Sequence, residues 1–458
     1  MQATLTATPA QLLAKYDVPS PRYTSYPTVP FWDEAPLTKA RWMEHVKQAF
    51  RKTNRSEGIS LYLHLPFCEQ LCTYCGCNKR ITKNHAVETP YVQALLQEWE
   101  QYLAAFDEKP RLAELHLGGG TPTFFSAQNL ELLLTKLLEK AEVLPDAAFS
   151  VEVHPNATQA DQLQVLYKLG FRRLSVGIQD FDPRVQLAIN RIQTFEQTKY
   201  VFGVARSIGY KSINADVIYG LPHQTADCVR HTIARVNELR PERIAFYSYA
   251  HVPWKSKAQR RYSEADLPAP AAKRALYELG KELLQQAGYN EIGLDHFALP
   301  ADELCLAAQH GTLHRNFMGY TPRQTTLLIG LGASSISDTG TAFMQNLKEV
   351  EAYEAQVATG QLPLLKGHEL TQQDLILRKH ILNLMCRLGT RWTDEEEVYF
   401  PETLDRLYFL AEDGLLCLHP NHLQVLEAGR PFLRNIAMCF DARLWQANPS
   451  APVFSRSI

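Results

Sequence analysis

The chain has 458 residues, 45% of them hydrophobic, with 47 basic against 49 acidic side chains. That length buries one large core and a smaller second one, so two or three domains are expected. The near-neutral balance excludes a global field that would draw the protein to nucleic acid or to an anionic membrane, and the expected ligand is small. No apolar run approaches the roughly 18 to 20 residues that span a bilayer, and the opening MQATLTATPAQLLAKYD lacks the charged-then-apolar order of a secretory signal. The expectation is a cytoplasmic protein with no membrane partner. Nine cysteines, four of them within Cys68–Cys77, make a poor disulfide framework and a good metal-binding one.

Residues 1–50 read as an arm and a helix, the arm carrying PRYTSYPT (Pro21 to Thr28), a polar aromatic segment with neither helical nor strand period. Residues 51–300 alternate short β-rich runs with amphipathic helical stretches, the pattern of parallel strands joined by crossover helices. Six strands are predicted: Ile59 to Leu65, Ala113 to Leu117, Phe149 to Val153, Arg173 to Ile178, Ser212 to Ile218 and Arg243 to Tyr249. Between the first two, Tyr91, Leu95, Leu96, Trp99 and Leu103 recur at spacings of three and four, one apolar stripe for the sheet. Ser126 caps the next helix, Thr158-x-x-Asp161 has the form of a capping box, and Gly170, Gly209 and Gly288 follow helical stretches where a left-handed residue is wanted. A long helical pattern covers Pro268 to Gly288. Residues 301–364 read as an extension of this unit, and 365–458 as a mostly helical, winged-helix-like domain with a hairpin in GLLCLHPNHLQVL.

The unusual polar residues lie at or just beyond strand C-terminal ends, the rim where parallel α/β barrels build active sites. After the first strand comes CEQLCTYCGC, after the second GGGTPT, at the third Glu152, after the fourth Gln179 and Asp180, in the fifth Asp216, and at the sixth Tyr249 and His251. Any one of these is explained equally well as a satisfied loop residue; six on one rim are not.

Cys68-x3-Cys72-x2-Cys75 packs three soft thiolates into eight residues, enough to wrap a loop around a 4Fe-4S cubane and leave one iron without a protein ligand. A zinc site or a redox pair is the competing explanation, but zinc sites use paired C-x2-C units or related His spacings, and no second pair follows. Cys77 is either a fourth ligand, which requires an abrupt chain reversal, or a free thiol placed for function. Gly118, Gly119 and Gly120 allow close backbone approach to a ligand, whereas neither dinucleotide nor Walker spacing for a phosphate cradle is present.

The three-then-two cysteine spacing after a first parallel strand, with Tyr74 before the last cysteine, resembles the radical S-adenosylmethionine superfamily. Within it, LYLHLPFCEQLCTYCGCNK (Leu61 to Lys79), PRYTSYPT, LHLGGGTPT, SVEVHP, SVGIQDF, IYGLP, LHRNFMGYT and the C-terminal RNIAMCFD resemble the oxygen-independent coproporphyrinogen III oxidases over nearly the whole chain. The resemblance implies an incomplete parallel (β/α)6 barrel holding a 4Fe-4S cluster on Cys68, Cys72 and Cys75. It also implies two molecules of S-adenosylmethionine. Tyr62, Gly119, Glu152, Ala250 and Ile336 would contact the cluster-bound one, and Tyr74, Gly120, Thr121, Gln179, Arg191 and Asp216 the second. Tyr62, Glu152 and Cys77 are implied as catalytic.

The implied reaction converts two propionates of coproporphyrinogen III to vinyl groups through a 5'-deoxyadenosyl radical, giving protoporphyrinogen IX in porphyrin biosynthesis, with an external electron donor and acceptor. Arg22, Lys79 and Arg315 fall in matching segments and are candidates for the substrate carboxylates. Cys77 and the PRYTSYPT arm match the oxidases, while the related haem-binding chaperones carry an aromatic residue in place of the cysteine and lack the arm. That chaperone function, without oxidase activity, is the alternative. A nucleic-acid role for the tail is disfavoured, because Leu365 to Ile458 shows no sustained basic stripe. Met318 and Leu117 depart from the family pattern, which has Gln and Trp there. A monomer is expected.

Overall fold

The structure is a computed structural model and describes residues 8–33, 37–449, 451 and 453–457. Part of the leader segment considered above, residues 1–7, lies outside the described residues. The six predicted strands form in the predicted order, several of them longer: β1 (Ile59–Leu65), β2 (Arg111–Gly119), β3 (Glu142–Val153), β4 (Phe171–Gln179), β5 (Ser212–Tyr219) and β6 (Arg243–Ser248). All neighbouring pairs from β1 to β6 are parallel.

The sheet continues past both expected edges, to twelve strands. Beyond β6 lie β7 (Asn290–Gly293) and β8 (His296–Ala298), paired antiparallel, and beyond β1 lies β9 (Leu328–Leu331), which pairs parallel. Then β10 (Ile336–Asp338), β11 (Ala342–Asn346) and β12 (Leu364–Glu369) add antiparallel strands. These edge strands are three to six residues long, too short for a period to show in the sequence. The tail expected from Leu365 thus begins inside β12, a strand of the main sheet.

Period-two alternation sorts each barrel strand into two faces. In β1, Ile59, Leu61, Leu63 and Leu65 are fully buried against the surrounding helices, whereas Ser60, Tyr62 and His64 alternate with them. In β2 to β5 the apolar set is Leu115 and Leu117, Phe149 and Val151, Leu174, Val176 and Ile178, then Ile213, Ala215 and Val217. The intervening residues, His116, Ser150, Glu152, Arg173, Ser175, Gly177, Asn214 and Asp216, line one cavity. Each fully buried Leu or Phe contributes about 1.5–3 kcal/mol, so the outward half holds the helices on and the inward half is left for the site.

Helices α1 (Pro9–Tyr16), α2 (Lys39–Thr53), α3 (Glu88–Leu103), α4 (Ala127–Glu139) and α5 (Ala160–Lys168) precede β4. Tyr91, Leu95 and Trp99 of α3 enter the core as the spacing predicts. Ser126 caps α4 by accepting the Asn129 N–H at 3.3 Å. The capping box at Thr158 does not form, because its hydroxyl is bonded to Thr123 and the His154 carbonyl; the Gln162 side chain accepts from Gln159 N instead. Gly209 ends its helix, Phe195–Ile208, at φ +113° as expected. The predicted long helix spans Pro270–Gln286.

A second core joins the arm to the tail. Leu12, Tyr23 and Tyr26 pack with Leu377, Ile381 and Leu384 of the helix Gln372–Arg387 and with Ile436 and Phe440. The predicted hairpin, Leu416–His419 with His422–Val425, gains a third strand, Gly389–Arg391. The buried Arg434 guanidinium donates to the carbonyls of Ser20, Pro21, Arg456 and Ser457, fixing the irregular arm without any regular element of its own. Among the described residues no helix is long and apolar enough to cross a membrane.

Candidate active site

The polar faces of the barrel strands enclose a cavity of about 430 Å³ that opens at the strand C-terminal ends. Cys68, Cys72, Cys75 and Cys77 line it at the rim. Main-chain contacts brace their loop on every side. Arg80 N and Thr82 N bond the carbonyls of Pro66 and Cys68, Thr73 N bonds Ile189, and Asn190 holds the Leu71 carbonyl at 2.7 Å. From the far side, Gln259 donates to Tyr74 O at 2.8 Å and Ser256 to Cys75 O at 3.2 Å.

None of the nine cysteines is in a disulfide. Among the described residues no three His, Cys, Asp or Glu side chains converge tightly enough for a single metal ion. Three thiols around one open cavity suit a polynuclear cluster, whose metals meet one thiolate each. The local charge agrees: Lys79 donates to the carbonyls of Cys75 and Cys77 at 3.2 and 3.3 Å, and Arg191 Nη1 lies 3.7 Å from Cys72 Sγ. A hydrogen bond from Cys77, with help from Lys79, brings the Cys75 thiol down to about 6, and the same bond pushes Cys77 up. Of the two, Cys75 is the more acidic thiol and Cys77 the less acidic.

Next to the cysteines, the glycine run meets the chain it must cross. A Cβ on Gly120 would lie 2.4 Å from Pro66 O, and one on Gly118 3.0 Å from Tyr62 and 3.2 Å from Glu152. Gly119, at φ +117°, turns its N–H onto Glu152 Oε2 at 3.3 Å. Thr121 Oγ1 is 3.3 Å from Cys68 Sγ. Glu152 also faces His116 Nε2 at 3.4 Å, and His116 stacks on Tyr62 at 5.9 Å between ring centres. Tyr62 in turn donates to His64 Nδ1 at 3.1 Å, since His64 Nε2 donates to Asn78 O.

Across the cavity, Asp216 accepts from Ser175 at 2.9 Å and Asn214 at 2.8 Å. Burial, reinforced by the charge of Glu152, raises its carboxyl to about 7. Arg191 is buried with Nη2 on Gly177 O at 2.6 Å and its Nε unpartnered. Gln179 is buried at φ +67°, an uncommon conformation for a residue with a Cβ.

The cavity thus gathers Cys68, Cys72, Cys75, Cys77, Lys79, Tyr74, Gly119, Gly120, Thr121, Glu152, Gln179, Arg191 and Asp216. Five predicted residues stand outside it or at its edge. Tyr62 touches it through His116 and its approach to Gly118. Ala250 shares Gln259 with the Tyr74 carbonyl, and Ile336 lies behind Gly330, the strand partner of Tyr62. Arg22 bonds Ser248 O and lies 3.5 Å from Asp295, in a small separate cleft, with Arg315 donating to its carbonyl.

Two expected rim residues are structural. Asp180 is bonded by Gln224, Thr232 and Asp182 N, and Tyr249 by His251 and Tyr262. The sequence reading missed His116, Asn214, Ser175 and Arg173, which line the cavity from strand interiors, and Arg243, which lines it from the start of β6. Their polar alternation with leucine and isoleucine was the available signal. Met318 lines the cavity, so that departure reaches the site, whereas Leu117 is buried among the helices and does not.

A parallel partial barrel carrying a three-cysteine loop at its C-terminal rim is the fold and site of the radical SAM superfamily, whose model matches residues 62–236. Such an enzyme uses S-adenosylmethionine with a 4Fe-4S cluster. The oxygen-independent coproporphyrinogen III oxidase of Pseudomonas aeruginosa is 38% identical over 98% of each chain, and that of Salmonella typhimurium 41% identical over 95% of each. The solved coproporphyrinogen III oxidase from Escherichia coli, described as a radical SAM enzyme, superposes with a TM-score of 0.88 at 39% identity, covering 96% of this chain and all of that one. The chain belongs to the family of oxygen-independent coproporphyrinogen III oxidases.

Proposed function

We propose that the protein catalyses oxidative decarboxylation of coproporphyrinogen III to protoporphyrinogen IX without oxygen, in haem biosynthesis. The observation that carries this reading is the convergence of three cluster-suited thiols, a side-chain-free glycine run and a ring of paired charges on one cavity, in a chain of this family. When bound, the cluster and S-adenosylmethionine supply one-electron carbon–sulfur cleavage and, through it, abstraction of a hydrogen atom from the carbon beta to a propionate carboxylate. Each arm then releases carbon dioxide and one electron, and becomes a vinyl group. The electron leaves to an external acceptor, and an external donor reduces the cluster.

The chain's own residues hold and orient. Cys68, Cys72 and Cys75 bind the cluster, and Lys79 and Arg191 stabilise their thiolates. Glu152, held by the Gly119 N–H and steadied by the Tyr62 and His116 stack, binds the ammonium of a first S-adenosylmethionine; the Gly119 backbone, Ala250 and Ile336 complete that site. Asp216 and Arg191, with Tyr74, Gly120, Thr121 and Gln179, bind a second molecule through charge-assisted hydrogen bonds. Cys77 acts as a protonated thiol within reach of substrate. Arg22, from the small cleft, Arg315 behind it, and Lys79 are offered to substrate carboxylates. The enzyme works as a cytoplasmic monomer.

The test is an anaerobic assay of cluster-reconstituted protein with reductant, S-adenosylmethionine and coproporphyrinogen III, following carbon dioxide and methionine together. Both are expected to form. Methionine without carbon dioxide would remove the substrate assignment and leave the radical class standing.

A further inference from the structure

The cavity does not stop below the cysteines. It runs down the barrel to Arg173, Ser212 and Arg243, the third, first and first residues of their strands. Arg173 lies six residues before Gln179 on β4, about 20 Å at strand rise, so the space suits a ligand with long arms. The acidic groups of this floor are already engaged. Asp302 takes Arg243 Nε at 2.6 Å, Ser212 Oγ at 2.9 Å and Leu304 N at 2.8 Å, while Glu114 takes Ser60 at 2.9 Å and Thr321 at 2.6 Å.

The basic groups are not. Among the described residues the Arg173 side chain makes no hydrogen bond or ion pair, and its buried Nη1 has no partner; Arg243 keeps a buried, unpartnered Nη2. Burial, and then the neighbouring Arg243, bring the Arg173 guanidinium down to about 10, against the pull of Glu114, Glu303 and Asp302. It remains a cation at neutral pH. Arg173 is partly buried with its Nη1 enclosed, and a purely structural role leaves that enclosed donor without an acceptor.

We propose that the barrel floor is a carboxylate subsite, built on Arg173 with Arg243 beside it, that receives a propionate arm of the porphyrinogen. The planar guanidinium offers two parallel N–H groups to a carboxylate, and Asp302 holds Arg243 so that its free Nη2 adds a third donor. Anchoring one arm at the floor leaves the opposite side of the macrocycle toward the cysteine rim, so Arg173 is a positioning residue. This subsite rests on the porphyrinogen reading above.

The methionine carboxylate of S-adenosylmethionine is the other source of the same chemistry, so the test separates the two. Binding of coproporphyrin III, the stable oxidised analogue, is measured by fluorescence on the cluster-reconstituted enzyme and on its R173Q and R173K variants. The tetramethyl ester of coproporphyrin III and S-adenosylmethionine are measured in parallel. Iron content and melting temperature confirm that each variant is folded and loaded. R173Q is expected to bind the tetra-acid at least tenfold more weakly, R173K by less, with ester and S-adenosylmethionine affinities unchanged.

Equal tetra-acid affinity in R173Q overturns the subsite, as does an equal loss with the ester. A loss confined to S-adenosylmethionine overturns the propionate assignment. If R173Q does not fold, R173K carries the comparison, because it keeps the charge and removes the fork. Wild-type enzyme that binds neither porphyrin overturns the porphyrinogen reading and this subsite with it, whereas wild-type turnover with an indifferent variant overturns the subsite alone.

Discussion

Replacing Asp216 by Asn tests the assignment of that carboxyl to a cationic ligand. Burial and the charge of Glu152 hold it at about 7, against an ordinary value near 3.8, despite hydrogen bonds from Ser175 and Asn214. The raised value means the unliganded fold binds more protons than the unfolded chain between about pH 4 and 7, so this residue lowers stability as pH rises through that window. A cation bound against it reverses the preference. If the S-adenosylmethionine ammonium drives the carboxyl below about 5, binding releases the proton carried beforehand: about 0.9 at pH 6, 0.5 at pH 7 and 0.1 at pH 8. Affinity should then rise about fivefold from pH 6 to 7 and about twofold more from pH 7 to 8, and level off above. Isothermal titration in two buffers of different ionisation enthalpy measures the released protons directly. D216N should bind more weakly, with neither this release nor this pH dependence. Wild-type binding that releases no proton at pH 6, or equal release from D216N, would refute the contact.

Three further outcomes are expected. Cys77→Ala should retain iron and the visible absorbance of the cluster yet lose turnover; loss of iron would make Cys77 a fourth ligand. Gly120→Ala places a Cβ 2.4 Å from Pro66 O, a backbone atom that cannot swing aside, and should cost about 1–3 kcal/mol in thermal unfolding together with S-adenosylmethionine affinity. Arg434→Ala removes a buried cation from four carbonyls, at about 1.5–3 kcal/mol for each charge-assisted bond in the best case. It should free the arm to limited proteolysis near Tyr23, and an arm that stays protected would show that Tyr23 and Tyr26 hold it alone.

The parts of the fold legible in the sequence were those with a period. β1 to β5 showed because each has at least three apolar residues on one face, β6 because its four central residues Ile244 to Tyr247 form a short apolar run, and α3 because its stripe runs four turns. β9 to β12 did not, since strands of three to six residues at a sheet edge carry no measurable period. The cysteine loop was legible because its chemistry needs consecutive chain. Arg22 and Arg315 were assigned from segments alone, and the structure places Arg22 in a cleft with Asp295, where the barrel's closing strand β8 begins, and buries Arg315 behind it on the Arg22 carbonyl. Only the pairing of distant elements decides that.

The same alternation explains why part of the site was missed and why it can now be found. A polar side chain facing into a barrel is costly unless partnered, so an enclosed donor with no acceptor marks a place where a ligand's acceptor is wanted. Asp180 is fully buried, yet Gln224, Thr232 and Asp182 N saturate it, and the four-residue turn it fixes needs nothing else. Glu114 is likewise closed by Ser60 and Thr321. Arg191 at the rim and Arg173 at the floor keep donors with no acceptor in the chain. Both are cations on one continuous cavity, and the missing acceptors must come from what enters it. On the proposed function the Arg191 acceptor is a carboxylate of the second S-adenosylmethionine and the Arg173 acceptor a propionate of the porphyrinogen, so the two unpartnered cations divide the cavity between cofactor and substrate.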